Sequence, residues 1–153
     1  MTNNYILRRI RYTFDFNYSK MVAIFALGNR IVAREEVDGW LKKEDNSAYK
    51  ECTDMQLAIF LNGFICYHRG RRKGEQPKPE AHLTNNIILV KLKIALSLKT
   101  EDILEILNLS NCSISVHELS ALFRKPGNRK YRECKDQILR NFLNGMEIKY
   151  RKN

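Results

Sequence analysis

Residues 3–69 and 85–151 are one module written twice, at a constant offset of 82 and without a gap. The copies agree at 20 of 67 positions, where unrelated segments of ordinary composition would share only ~4. Agreement is densest where Tyr49, Glu51, Cys52, Asp54, Leu57, Phe60, Leu61, Asn62 and Gly63 recur as Tyr131, Glu133, Cys134, Asp136, Leu139, Phe142, Leu143, Asn144 and Gly145. A domain of this module's size hides only about 60% of the surface its unfolded chain exposes, against roughly 70% for one of twice the length. Two copies that each bury too little are expected to pack on each other, as one pseudo-twofold globule rather than beads on a string.

Each copy reads as four short helices. The first begins after Asn4 or Asn86, whose side chain is suited to accept from free N–H groups of the first turn. Leu7, Ile10 and Phe14, or Leu89, Leu92 and Leu96, then share one stripe. The second helix covers about 19–27 and stops at Gly28-Asn29, a left-handed cap; its copy, about 100–109, stops at Ser110-Asn111. The third runs from about 34 to 42 with Val37, Trp40 and Leu41 inward, and its copy opens with the capping box Ser115-Val116-His117-Glu118. The fourth starts near Asp54 or Asp136, with Thr53 or Asp54 as the first copy's cap. Leu57, Phe60, Leu61 and Phe64 follow the i, i+3, i+4, i+7 rule. Sustained alternation is absent. The fold class is all-α: two tandem four-helix repeats, 1–69 and 85–153, joined by a Gly-, Pro- and charge-rich linker at 70–84. Helix four is expected at the centre.

The tandem Y-x-E-C-x-D-x-x-L-x-x-F-L-N-G motif, with the N-N-x-I-L opening of each copy, resembles the YehS-like bacterial family (domain of unknown function 1456). The resemblance spans nearly the whole chain. It implies a helical, cytoplasmic bacterial protein with no established activity, and it supplies no catalytic residues to carry over. The clearest departure of one copy from the other is Pro126-Gly127 in place of Glu44-Asp45.

No apolar run approaches the ~20 residues a membrane helix needs. The best, 87–98, is broken by Lys91 and Lys93, and Arg8, Arg9 and Arg11 stand where a secretory signal would be apolar. Four cysteines without CxxC spacing fit reduced thiols in the cytosol. Neither metal nor other cofactor is expected, and no carboxylate pair, phosphate loop or nucleophile elbow suggests an enzyme.

The duplicated positions have a plain reading and a sharper one. Cys52 and Cys134, beside Asp54 and Asp136 and under Tyr49 and Tyr131, read first as buried small residues next to a helix start. The sharper reading makes the repeated Tyr, Glu, Cys and Asp a reactive set, which requires that they line one open cleft. Asn62-Gly63 and Asn144-Gly145 put Gly inside a helix at a cost of about 1 kcal/mol relative to Ala. Close approach of another helix explains that, or a backbone-lined pocket with the Asn amides as partners. Pairing of the two fourth helices would bring both sites to the repeat interface.

Charge is the compositional outlier, with 27 Lys and Arg against 17 Asp and Glu, a net +10. A basic balance favours polyanionic partners. Arg124, Lys125, Arg129, Lys130 and Arg132 put five cations on the loop between the second copy's third and fourth helices, whereas its counterpart at 42–50 is nearly balanced. Arg69, Arg71, Arg72 and Lys73 add cations at the end of the first helix four, and Lys149, Arg151 and Lys152 at the end of the second. The leading expectation is nucleic-acid association through the second copy and linker, without strong sequence readout. Convergence of the 124–132 loop with the 69–73 and 149–152 segments on one face would favour it. A helix-turn-helix reading of helices two and three is poor, because 28–33 is long for the turn and Arg34 stands where an apolar residue belongs. The competing expectation is a protein-interaction or scaffold module, dimeric or heteromeric, which a large exposed apolar patch near Trp40 or the Asn-Gly faces would favour.

Overall fold

In a computed structural model that describes residues 1–152, the chain forms α1 (Asn3–Phe14), α2 (Tyr18–Leu27), α3 (Arg34–Leu41) and α4 (Asp54–Arg69). The second repeat forms α5 (Asn85–Ala95), α6 (Thr100–Leu109), α7 (Val116–Leu122) and α8 (Asp136–Tyr150). There is no strand among the described residues. The turns are duplicated with the helices. Asp15 and Asn29 take φ of 53° and 69°, and Ser97 and Asn111, each 82 residues on, take 54° and 61°. Asn29, rather than Gly28 at φ −84°, is thus the left-handed residue that closes α2.

The first helices start earlier than an asparagine cap would place them. Thr2 and Thr84 are the caps, accepting from the N–H of Tyr5 and Ile87, and both asparagines of each pair lie inside the helix. Thr53 caps α4 and forms a capping box with Gln56, so Asp54 belongs to the first turn. The box expected at Ser115 and Glu118 is present.

Within each repeat the second helix crosses the fourth at a glycine. A Cβ on Gly63 would run into the carbonyl oxygen of Ile24, and one on Gly145 into that of Ile106. That is the close approach the mid-helix glycines require. Gly28 lies equally tight against the Ile59 carbonyl. At the matching place Ser110 instead donates its hydroxyl to the Asn141 carbonyl at 2.7 Å.

Across the repeats, α1 packs on α8 and α5 packs on α4. Each fourth helix therefore meets the other repeat's first helix, not chiefly its own counterpart, which corrects the expected pairing of fourth helices. The exchange is reciprocal and merges both halves into one apolar core. Helix α4 lies between α2 and α5 and buries every residue from Leu57 to Phe64. Trp40 is 4% exposed and its ring centroid is 5.2 Å from that of Phe25. Trp40 itself therefore offers no exposed apolar patch. Among the described residues no helix is long and apolar enough to cross a membrane.

Candidate polyanion-binding cleft

The shared motif acts as a clamp between helix one and the loop before helix four. The Asn4 amide donates to the carbonyls of Trp40 and Lys50 at 2.9 and 2.8 Å, and its oxygen accepts from Cys52 N and the Tyr49 hydroxyl. Asn86 repeats this with Leu122, Arg132 and Cys134 N. Asn3 and Asn85 each donate to a carboxylate, Asp54 and Asp136, at 2.7 Å. Those bonds hold both acids below the usual carboxylate value, Asp54 also through the Leu83 N–H. Such side-chain to backbone bonds satisfy groups that the fold buries.

This clamp leaves little for chemistry. Tyr49, Glu51, Cys52 and Asp54 do border a hollow of about 300 Å³ in the first repeat. Cys52 is only 2% exposed, however, and burial pushes its thiol up to about 12; Cys134 reaches about 11 for the same reason. A reactive thiol needs the opposite shift. No group of three His, Cys, Asp or Glu side chains among the described residues is placed to hold a metal ion.

The repeat interface opens instead into two clefts related by the 82-residue offset. One, of about 680 Å³, lies beside the linker, between α5, the end of α4 and the α7–α8 loop. Its sister, of about 890 Å³, lies between α1, α8 and the α3–α4 loop. A cation stands at the same place in each, bonded to the asparagine of the opposite fourth helix. Lys91 Nζ donates to Asn62 Oδ1 at 2.6 Å, and Arg9 Nη2 to Asn144 Oδ1 at 2.8 Å. The Asn-Gly pairs thus divide their work, the glycines facing the second helix and the asparagines binding the other repeat.

The two clefts differ in their walls. Ile65, Val90, Ile94 and Phe123 line the linker-side cleft, where the sister has Glu147, Arg8, Tyr12 and Leu41. Glu147 pairs with Arg9 at 3.0 Å, whereas the partner of Lys91, at 3.1 Å, is Glu80 from the linker. Moving the carboxylate off the helix leaves Ile65 free to be apolar, and the linker becomes a third wall with Arg71, Arg72 and Pro77.

Of the basic residues singled out from sequence, Arg69, Arg71 and Arg72 meet Arg124 and Lys125 around this cleft. Lys73, Arg129, Lys130 and Arg132 are exposed outside it. None of these nine pairs with a carboxylate among the described residues. The loop carries the same turn as its counterpart at 43–48. Pro126 and Gly127, at φ 93°, make a turn closed by Asn128 N to Lys125 O at 3.0 Å, and Asn128 Oδ1 accepts from Lys130 N. The 149–152 segment does not join them. Arg151 lies over the Tyr12 ring, 3.7 Å from its centroid, toward the sister cleft. Sequence reasoning missed Lys91, Glu80 and the apolar wall; a position-by-position comparison of the copies, Val90 against Arg8 and Ile65 against Glu147, carries that signal.

No solved structure matches this chain. An uncharacterized protein, YehS of Escherichia coli strain K12, is 44% identical over 147 residues, covering 95% of this chain and 94% of that protein. The family model described as protein of unknown function (DUF1456) matches twice, at residues 3–70 and 85–152, the two units that the helices and the clamp repeat. The chain accordingly belongs to the DUF1456 family, in a duplicated form built around one shared core.

Proposed function

We propose that this protein associates with nucleic acid through the linker-side cleft and the basic loop beside it, reading charge and backbone rather than sequence. One observation carries the reading: Arg69, Arg71 and Arg72 line a single opening with Arg124 and Lys125, none of them paired with a carboxylate among the described residues. Arginine forks suit phosphate oxygens, and each phosphate neutralised releases counterions. Six cations face one carboxylate in this cleft, against five facing two in the sister. The competing scaffold reading has no exposed patch at Trp40, which is buried, and would have to use the apolar wall of this same cleft beside Asn62.

Fluorescence anisotropy with duplex DNA, structured RNA and single-stranded RNA, at low and physiological salt, tests this. The expected result is binding that weakens steeply with salt. Replacing Arg124, Lys125, Arg129, Lys130 and Arg132 by Ala should cut the slope of log K against log salt by roughly 0.7–0.9 for each phosphate no longer neutralised. Absence of binding to all three at low salt would refute the proposal.

A further inference from the structure

We propose that the linker-side cleft lodges one unstacked nucleotide of a single strand, its base against the apolar wall and its phosphates on the cationic rim. This rests on the nucleic-acid reading and adds to it a substrate class and a point of insertion.

Three features point to that occupant. The first is size: about 680 Å³ falls in the usual range for a small-molecule pocket. The second is the layout of charge and apolar surface. Ile65, Val90, Ile94 and Phe123 form the wall, and Arg69, Arg71, Arg124 and Lys125 stand around it. A chain of phosphates alone would have no use for that wall, and a duplex keeps its base faces stacked away from it. Single strands are bound by cationic grooves that also offer aromatic or apolar faces to the bases.

The third feature is the set of polar groups at the wall. Asn62 accepts from Lys91 but leaves its amide nitrogen without a protein partner among the described residues. Tyr131 lines the cleft with its hydroxyl unbonded, whereas the hydroxyl of its counterpart Tyr49 donates to Asn4 Oδ1 at 3.1 Å. Glu80 also faces the opening. An alkyl chain would dry these groups without pairing them, at a cost. A base edge carries the donors and acceptors to pair them. Free Tyr131 is a departure of the second copy alone, as is the apolar wall.

The test exchanges residues between the clefts. Val90→Arg installs the sister cleft's residue at a half-buried site where the fold already accepts Arg8. It adds a positive charge while filling the cleft, so a purely electrostatic surface would bind every polyanion more tightly. The proposal expects the reverse for single strands: about tenfold weaker binding of a short single-stranded RNA, as the base is displaced from the wall, with binding of a blunt duplex unchanged or tighter. Phe123→Leu, again the sister's residue, removes a ring face without altering charge and should weaken the single strand alone. Unchanged or tighter single-strand binding by both variants would overturn the inference while leaving general nucleic-acid association intact. Failure of the unaltered protein to bind any nucleic acid would overturn both.

Discussion

The linker-side cleft and its sister are made from equivalent helices, closed by equivalent turns and fastened by equivalent asparagine-to-cation bonds, yet they present different surfaces. Four side-chain exchanges and one displaced carboxylate account for much of that. The displaced carboxylate is the instructive part. A linker occurs once in a tandem pair, so it can wall only one of two equivalent openings, and Glu80 draws it there by taking the role that Glu147 has in the sister. Duplication supplies the scaffold twice, and the single linker breaks the symmetry. Function is then sought where the copies differ, stability where they agree.

That division can be broken from the stability side first. Gly63→Ala and Gly145→Ala each drive a methyl into the backbone of the crossing helix, and each should cost about 3 kcal/mol in urea unfolding. Similar losses support a common scaffold; a silent change at either site would show that the crossings are not equivalent. Asn4→Ala and Asn86→Ala strand buried carbonyls and an N–H, at about 2 kcal/mol each. The Asn4 variant should lose somewhat more, since Tyr49 also loses its acceptor.

The smallest effect is in acid. Asp54 and Asp136 have folded-state values below the usual one, first through the Asn3 and Asn85 amides. The stability they contribute is therefore in place above about pH 4 and is lost as pH falls through the depressed values. Asp54→Asn and Asp136→Asn should each flatten that acid limb of a thermal-melting profile and leave its slope above pH 6 unchanged. A variant that altered only the neutral region would contradict the assignment.

Much of this fold is legible in the chain. The repeat, the apolar stripes and the Ser115 box mark eight helices, and the need of small units to share a core brings the halves together. Asn4 and Asn86 mislead because asparagine is a good local cap, whereas here it reaches 36 to 48 residues along the chain to buried backbone. Which helices meet across the repeats is hidden too, since α4 and α5 are both apolar on more than one side. For the site, the loop charges and the Pro126-Gly127 turn can be read directly. The apolar wall cannot, because Val90 and Ile94 look like ordinary core members of the apolar run 87–98 until their counterparts, Arg8 and Tyr12, are set beside them. Lys91 likewise looks like a break in an apolar run, although it is 8% exposed and bonded to α4.

The protein contains its own control, and the most direct measurement uses it. Amide chemical-shift mapping during titration with a short single-stranded RNA reports both clefts in one sample. Shifts are expected to centre on Ile65, Val90, Ile94, Phe123 and Arg124, with Glu147, Arg8, Tyr12, Leu41 and Lys42 unmoved. Equal shifts at both clefts, or shifts confined to the sister, would contradict a linker-side site.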